Sequence, residues 1–228
     1  MAYRSIKFFM PHGGIDSINV KKPLGWYQAS RYSLGVPGRI VRSAFFFYEN
    51  DEDRERLLPF GYYDDPNVLR FKELRKIKND AGREYQIISG GLVFANRQCF
   101  VAIGATYETR LGVAEKDLKA SDIQHAQTAY YVFDDDGDAD VVRGLKIGVL
   151  RLHGDPVAPT IELRRVKMPE GLEWSSVGDQ TAIEIGIVDP KAEDRTDLAE
   201  VVERIRPRVH DEAKIPFATT FNKDMSSS

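Results

Sequence analysis

The chain has 228 residues, of which 42% are hydrophobic, so it can bury roughly 70% of its unfolded surface without help from a disulfide or a metal. A formal net charge of −3 excludes a polycation that would hold nucleic acid by overall charge alone. One cysteine, Cys99, excludes an internal disulfide framework and a multi-cysteine metal site.

Aromatic residues reach 11%, with 12 Phe, 10 Tyr and 2 Trp, and side chains of this kind favour the half-buried pleat of a sheet. The opening residues lack the apolar run of a signal peptide, and no stretch approaches the roughly 18 apolar residues of a membrane-spanning helix. A cytoplasmic protein that does not engage a membrane is expected.

In chain order, Tyr3 to Met10 read as a strand stopped by Pro11. From about 12 to 38 periodicity fades among Gly13, Gly14, Pro23, Gly25, Gly35, Pro37 and Gly38, and this stretch is expected to be an irregular N-terminal arm or loop. Arg39 to Tyr48 are β-branched and aromatic enough for a buried strand. Asn50 is placed to cap a short acidic helix running to Leu58, with Asp51, Glu52 and Asp53 in its first turn and Pro59 after it. The 68–78 segment has mixed spacing and fits either helix or strand.

Three hairpins follow from turn chemistry. The first turns at Lys78–Gly82, before Glu84–Ile88. The second turns at Ala95–Gln98, between Gly91–Phe94 and Cys99–Ile103. The third turns through the acidic tip Asp134–Asp140, between Ala129–Phe133 and Val141–Leu152. Residues 114–127 have weak helical stripes.

Thr160–Met168 alternate with one break, and Thr181–Val188 alternate cleanly through Ile183, Ile185 and Ile187, the strongest strand signal in the chain. The clearest helix comes next. Leu198, Val201, Val202 and Ile205 form one stripe, Asp194 or Thr196 can cap it, and Pro207 ends it. The tail, 216–228, is polar and expected to be loose.

Hairpins outnumber βαβ alternations and no domain boundary stands out. The expected fold is a single mainly β (α+β) domain, 1–228, of antiparallel hairpin-built sheets. A sandwich-like arrangement, jelly roll included, or a ferredoxin-like one with insertions would fit, closed by one amphipathic C-terminal helix.

Charge is unevenly spread. Residues 1–48 carry seven Lys or Arg against Asp16, a balance of +6, which leaves −9 for the rest of a chain whose total is −3. Lys21, Lys22, Arg31, Arg39 and Arg42 interleave with Trp26, Tyr27 and Tyr32, a mixture suited to phosphate contacts and base stacking on single-stranded nucleic acid. Arg42–Tyr48 has the basic start and aromatics of an RNP1 strand but not its glycine or spacing. A second basic run, Arg70, Lys72, Arg75, Lys76 and Lys78, surrounds Phe71 and has only Glu73 against it. The plainer reading of both runs is that long cations cover apolar surface and the aromatics pack inside.

The Asp134–Asp140 tip fails as an EF-hand, because its sixth position is Ala139 and its twelfth is Leu145, and a solvated hairpin tip explains it. His12, His125, His153 and His210 lack metal-ligand spacing, and no nucleophile elbow, Walker loop or dinucleotide fingerprint occurs. Cys99 lies in an apolar run and reads as an inert thiol, and His153–Asp155 as a polar turn.

No catalytic residue, metal ligand or cofactor is therefore expected. The leading expectation is a non-catalytic structural or assembly subunit that binds other subunits or copies of itself. A nucleic-acid-binding subunit of a ribonucleoprotein stands second, and a hydrolase with a non-local acidic metal site third.

Overall fold

A computed structural model of the chain describes residues 22–33, 36, 38–49, 69–78, 84–96, 99–110, 124–134, 140–149, 156–168, 177, 182–192 and 195–206. The strands are β1 (Gly25–Tyr32), β2 (Ile40–Tyr48), β3 (Arg70–Lys78), β4 (Glu84–Asn96), β5 (Cys99–Arg110), β6 (Gln124–Asp134), β7 (Val141–Val149), β8 (Pro156–Val157), β9 (Thr160–Arg165) and β10 (Gly186–Val188), and one helix, α1 (Asp197–Ile205), follows them.

Each of β1 to β7 pairs antiparallel with the next, β7 pairs with β9, and β9 pairs with β1 through Ala29 opposite Leu163. The sheet thus closes on itself as an eight-stranded antiparallel barrel. Closure gives every strand of the ring two partners and removes the open edges that a sandwich would leave. This corrects the expected sandwich-like or ferredoxin-like arrangement, while the mainly β, hairpin-built character and the amphipathic helix after the strands stand.

Register fixes which residues face inward, since residues directly opposite one another share a face. The row Tyr27, Phe45, Glu73, Ser89, Thr106 and Gln127 runs across β1 to β6 on the inside. Below it, toward the β4–β5 and β6–β7 turns, the interior is aromatic. Phe45 lies 4.9 Å from Phe47, 5.5 Å from Phe71, 5.5 Å from Tyr131 and 5.7 Å from Phe133, ring centre to ring centre. Val93, Phe100, Ala102, Val142, Ile161 and Leu163 complete this core.

Glycines let neighbouring strands approach where the wall bends most. A Cβ at Gly91 would collide with the Ile103 carbonyl oxygen, and one at Gly104 with the carbonyl oxygen of Gly90. Neither obstacle is a flexible side chain, so the β4–β5 ladder itself would have to move. Gly104→Ala is therefore expected to lower stability by about 1–3 kcal/mol, read as a fall in the denaturant midpoint, whereas the neighbouring Ala105, on the opposite face of β5, already carries a Cβ.

A second apolar cluster lies outside the barrel wall, where Ala44, Leu74, Ile88 and Tyr107 are covered by Val177 and Ile183, with Trp26, Val166, Met168 and Ile185 around them. Gln28, although on the outer face of β1, is buried here because its side-chain amide bridges strands: Nε2 donates to the carbonyls of Ser43 and Glu184, and Oε1 accepts from the Glu184 N–H at 2.8 Å. Helix α1 packs Leu198, Val201 and Ile205 inward, the last two against Ile40, and Arg204 reaches Glu162 at 2.7 Å.

The expected arm at 12–38 is corrected in part, because β1 lies inside it and closes the barrel; 1–21 fall outside the described residues. The 68–78 segment is a strand. Residues 124–127 belong to β6 rather than to a helix over 114–127, whose earlier part lies outside the described residues. The clean alternation at 181–188 yields only the three-residue β10. Ile183 is buried, but Ile187 is 43% exposed, so the three isoleucines do not share one buried face. Thr196 stands at the helix N-terminus as expected, yet its φ of −60° and ψ of −26° are already helical and its side chain makes no capping bond. The proposed strand at 3–10, the helix at 50–58 and the tail at 216–228 all lie outside the described residues.

Candidate functional site

Within the barrel the chemistry changes at the level of Glu73. This carboxylate is fully buried, on the same face of β3 as Phe71, and both of its oxygens are used. Oε1 accepts from the Ser43 hydroxyl at 2.9 Å; Oε2 accepts from the Tyr131 hydroxyl at 2.6 Å and from Lys146 Nζ at 2.9 Å. Arg75 Nε stands 3.4 Å from Oε2 as an ion pair without a hydrogen bond. Lys146 also lies over the Tyr131 ring, 4.9 Å from its centre.

Burial by itself would raise the Glu73 carboxyl, but Lys146, Arg75, Arg31 and the Tyr131 hydroxyl outweigh it and hold the group well below the usual carboxylate range. Burial, and after it the neighbouring Glu73 charge, pushes the Tyr131 hydroxyl well up, so it stays a donor. Lys146 moves well down, first through burial and then through Arg75. Arg31, only 5% exposed, is lowered to about 10 by burial and then by Arg75. Three cationic side chains thus surround the Glu73 carboxylate, and Glu108 of β5 stands on the same inward row as Arg75 and Ile87. Ser89 and Thr106, joined at 2.7 Å through their hydroxyls, line the adjoining wall.

The basic residues singled out in the sequence do not gather on one surface. Arg31 and Arg75 point into the barrel. Arg39 pairs with Asp189, and Arg42 reaches Asp197 at 3.4 Å beside Glu184. Lys22 pairs with Glu49, whose carbonyl also accepts from Arg70 at 3.2 Å. Lys72 is buried, 5.7 Å from the centre of the Tyr48 ring, and Lys76 is half-buried. Lys78 is exposed, 3.9 Å from Glu84. Trp26 stacks on Phe46 at 4.4 Å and joins the outer apolar cluster. Lys21 is outside the described residues, as are 135–139 of the acidic tip.

Among the described residues no group of three or more His, Cys, Asp or Glu is placed to hold a metal ion, and no helix is long and apolar enough to cross a membrane.

A second feature lies on the outer wall. Two rows of apolar residues cross four strands in register: Leu92, Ile103, Tyr130 and Ile147, then Phe94, Val101, Val132 and Leu145. The first three of each row are half-buried, whereas Leu145 and Ile147 are 41% and 39% exposed. The rows hold no charged side chain.

No protein-family model matches this chain, and no curated protein or solved structure shows significant similarity to it.

Glu73, Tyr131, Lys146 and Ser43 were not singled out by the sequence. A signal exists in hindsight: in a strand over 70–78, period two puts Glu73 and Arg75 on the face of Phe71, where charges need internal partners.

Proposed function

We propose that this chain is a non-catalytic assembly subunit whose copies pack together through the outer wall formed by β4 to β7. The observation that carries the reading is the pair of apolar rows ending in the exposed Leu145 and Ile147. Large apolar side chains brought into register on an outer face mark an interaction surface more often than they occur by chance.

A second copy is the occupant that the chemistry favours. A face that meets its own copy across a two-fold axis sets each residue against a different one, and a face without charges does so without burying any that lack a partner. The β4–β7 rows satisfy this. The other side of the barrel does not, since Arg164, Glu162 and Arg42 stand on the outer faces of β9 and β2. Those charges also make the apolar surface a local patch rather than the continuous girdle of a barrel embedded in lipid.

Light scattering over a wide range of protein concentration tests the proposal. The unmodified chain is expected to associate. Leu145→Lys with Ile147→Glu is expected to weaken association at least tenfold, about 1.4 kcal/mol, while leaving the melting temperature of the monomer unchanged because both side chains already face outward. A chain that stays monomeric at every concentration would overturn the reading.

A further inference from the structure

We infer that the upper half of the barrel interior is a binding site for a small oxyanion, a carboxylate or phosphate group carried on a small molecule, held by Arg31 and Arg75. The inference is independent of the assembly reading, which concerns the opposite side of the wall.

The first argument is hydrogen-bond supply. A guanidinium has five N–H donors and no acceptor. Arg31 spends one, from Nη1 to the Tyr32 carbonyl at 3.0 Å, and its Nε is buried without a partner. Arg75 Nε is likewise buried and unbonded. Of the inward carboxylates, Glu73 already accepts from Ser43, Tyr131 and Lys146, and Glu108 stands two strands from Arg75 on the same inward row. Each inward guanidinium therefore keeps one buried donor, its Nε, without a hydrogen bond, a costly arrangement in a shielded interior.

The second argument is charge. Arg31 lies within electrostatic reach of Arg75, whose charge makes Arg31 costlier to keep protonated. An incoming oxyanion relieves both and presents the planar or tetrahedral oxygens that a guanidinium fork matches in pairs.

The third argument is space and access. Below Glu73 the interior is filled by phenylalanine and tyrosine rings, beside it the inward residues are Ser43, Ser89 and Thr106, small and hydroxylic, and above them Val41, Ile77, Tyr85, Ile87 and Glu108 line the wall. Toward the β3–β4 and β5–β6 ends, solvent reaches the inside: Gln127, on the inward row, is exposed, and Ile77, Tyr85 and Ile87 are only half-buried. At the same level the β2–β3 ladder stops at Ala44 and Leu74, and β10 takes over the edge of β2. The barrel is thus a cup with an aromatic floor, an oxyanion-seeking wall and an accessible rim.

Thermal melting of the full chain in inorganic phosphate, in succinate and in chloride at matched ionic strength tests the inference. Phosphate or succinate is expected to raise the melting temperature saturably by roughly 2–8 °C over chloride, since a ligand that binds only the native state must stabilise it. A response to phosphate alone assigns a phosphoryl group, and one to succinate alone a carboxylate. Arg75→Gln and, separately, the conservative Arg31→Lys are expected to abolish or halve the rise, and Arg39→Gln on the outer surface to leave it intact. No saturable rise with either anion, or a rise that survives both inward substitutions, would overturn the inference. Association measured on the same samples is expected to be indifferent to the inward substitutions.

Discussion

Glu73→Gln is expected to destabilise the protein by about 3–5 kcal/mol, because it removes the carboxylate that Lys146, Arg75 and Arg31 surround. The glutamine retains the shape and can still accept from Tyr131, so the loss isolates charge rather than packing. Adding Lys146→Met to Glu73→Gln should recover part of the loss, since it withdraws one unpaired cation, and a double-mutant cycle reads the coupling directly. The pH dependence has a definite sign. Glu73 gives up its proton more readily in the folded than in the unfolded chain, so it contributes stability above the ordinary carboxylate range. That stability drains away as pH falls toward the depressed folded value. The denaturant midpoint should therefore fall more steeply with descending pH in the native chain than in Glu73→Gln.

Phe45→Ala should cost about 3–5 kcal/mol through lost burial and the cavity left behind. Phe45 stands where four rings meet: it stacks on Phe71, tilts against Phe47 and presents edges to Tyr131 and Phe133, which bring together β2, β3 and β6 from across the barrel. The cavity cannot close cheaply, because the surrounding strands are hydrogen-bonded on both sides. Phe45→Leu keeps most of the volume and should cost less than half as much. Phe46, its neighbour in sequence, faces outward and stacks on Trp26 and, at 5.2 Å, on Tyr48. Phe46→Ala should accordingly cost less than Phe45→Ala, and chemical denaturation of the three variants ranks them. Equal losses at 45 and 46 would mean that the inward register of β2 is wrong.

Local signals made β2, β9, the hairpin partners and α1 legible in the sequence. Arg39–Tyr48 is dense in β-branched and aromatic residues, and the Leu198–Ile205 stripe has the helical period. Strand β1 was hidden because its alternation mixes kinds. Tyr27, Ala29 and Arg31 face inward, whereas Gln28 and Ser30, polar yet buried, face the segment that covers the wall. Strand β7 misleads in the same way. Its apolar Leu145 and Ile147 face outward and its Lys146 inward, the inverse of the usual pattern, since Glu73 and Tyr131 provide the partners that make a lysine tolerable inside. At 181–188 the opposite happened: a clean alternation belongs to a segment laid over the barrel, with Ile183 packed and Ile187 left to solvent. Closure was out of reach for a further reason. It rests on β1 meeting β9, strands separated by more than a hundred residues, and no local pattern encodes which strand returns to the first.

Cationic residues were visible in the sequence but not their destinations. Arg31 and Arg75 belong to the same two basic runs as Arg39 and Lys78, yet they end inside the barrel while the latter stand outside. Position along an alternating strand decides between these fates, and in β1 the alternation becomes readable only once its partners are known.

The most direct measurement on the buried cluster is a titration of the Glu73 side-chain carboxyl carbon by NMR, in the intact chain, with Glu73→Gln to assign the signal. A carboxylate enclosed with Lys146, Arg75 and Arg31 and bonded to Tyr131 and Ser43 should remain ionised well below the ordinary carboxylate range in which surface groups take up their protons. A Glu73 signal that titrates together with those surface groups would contradict the charged interior and the inward register of β3 on which it rests.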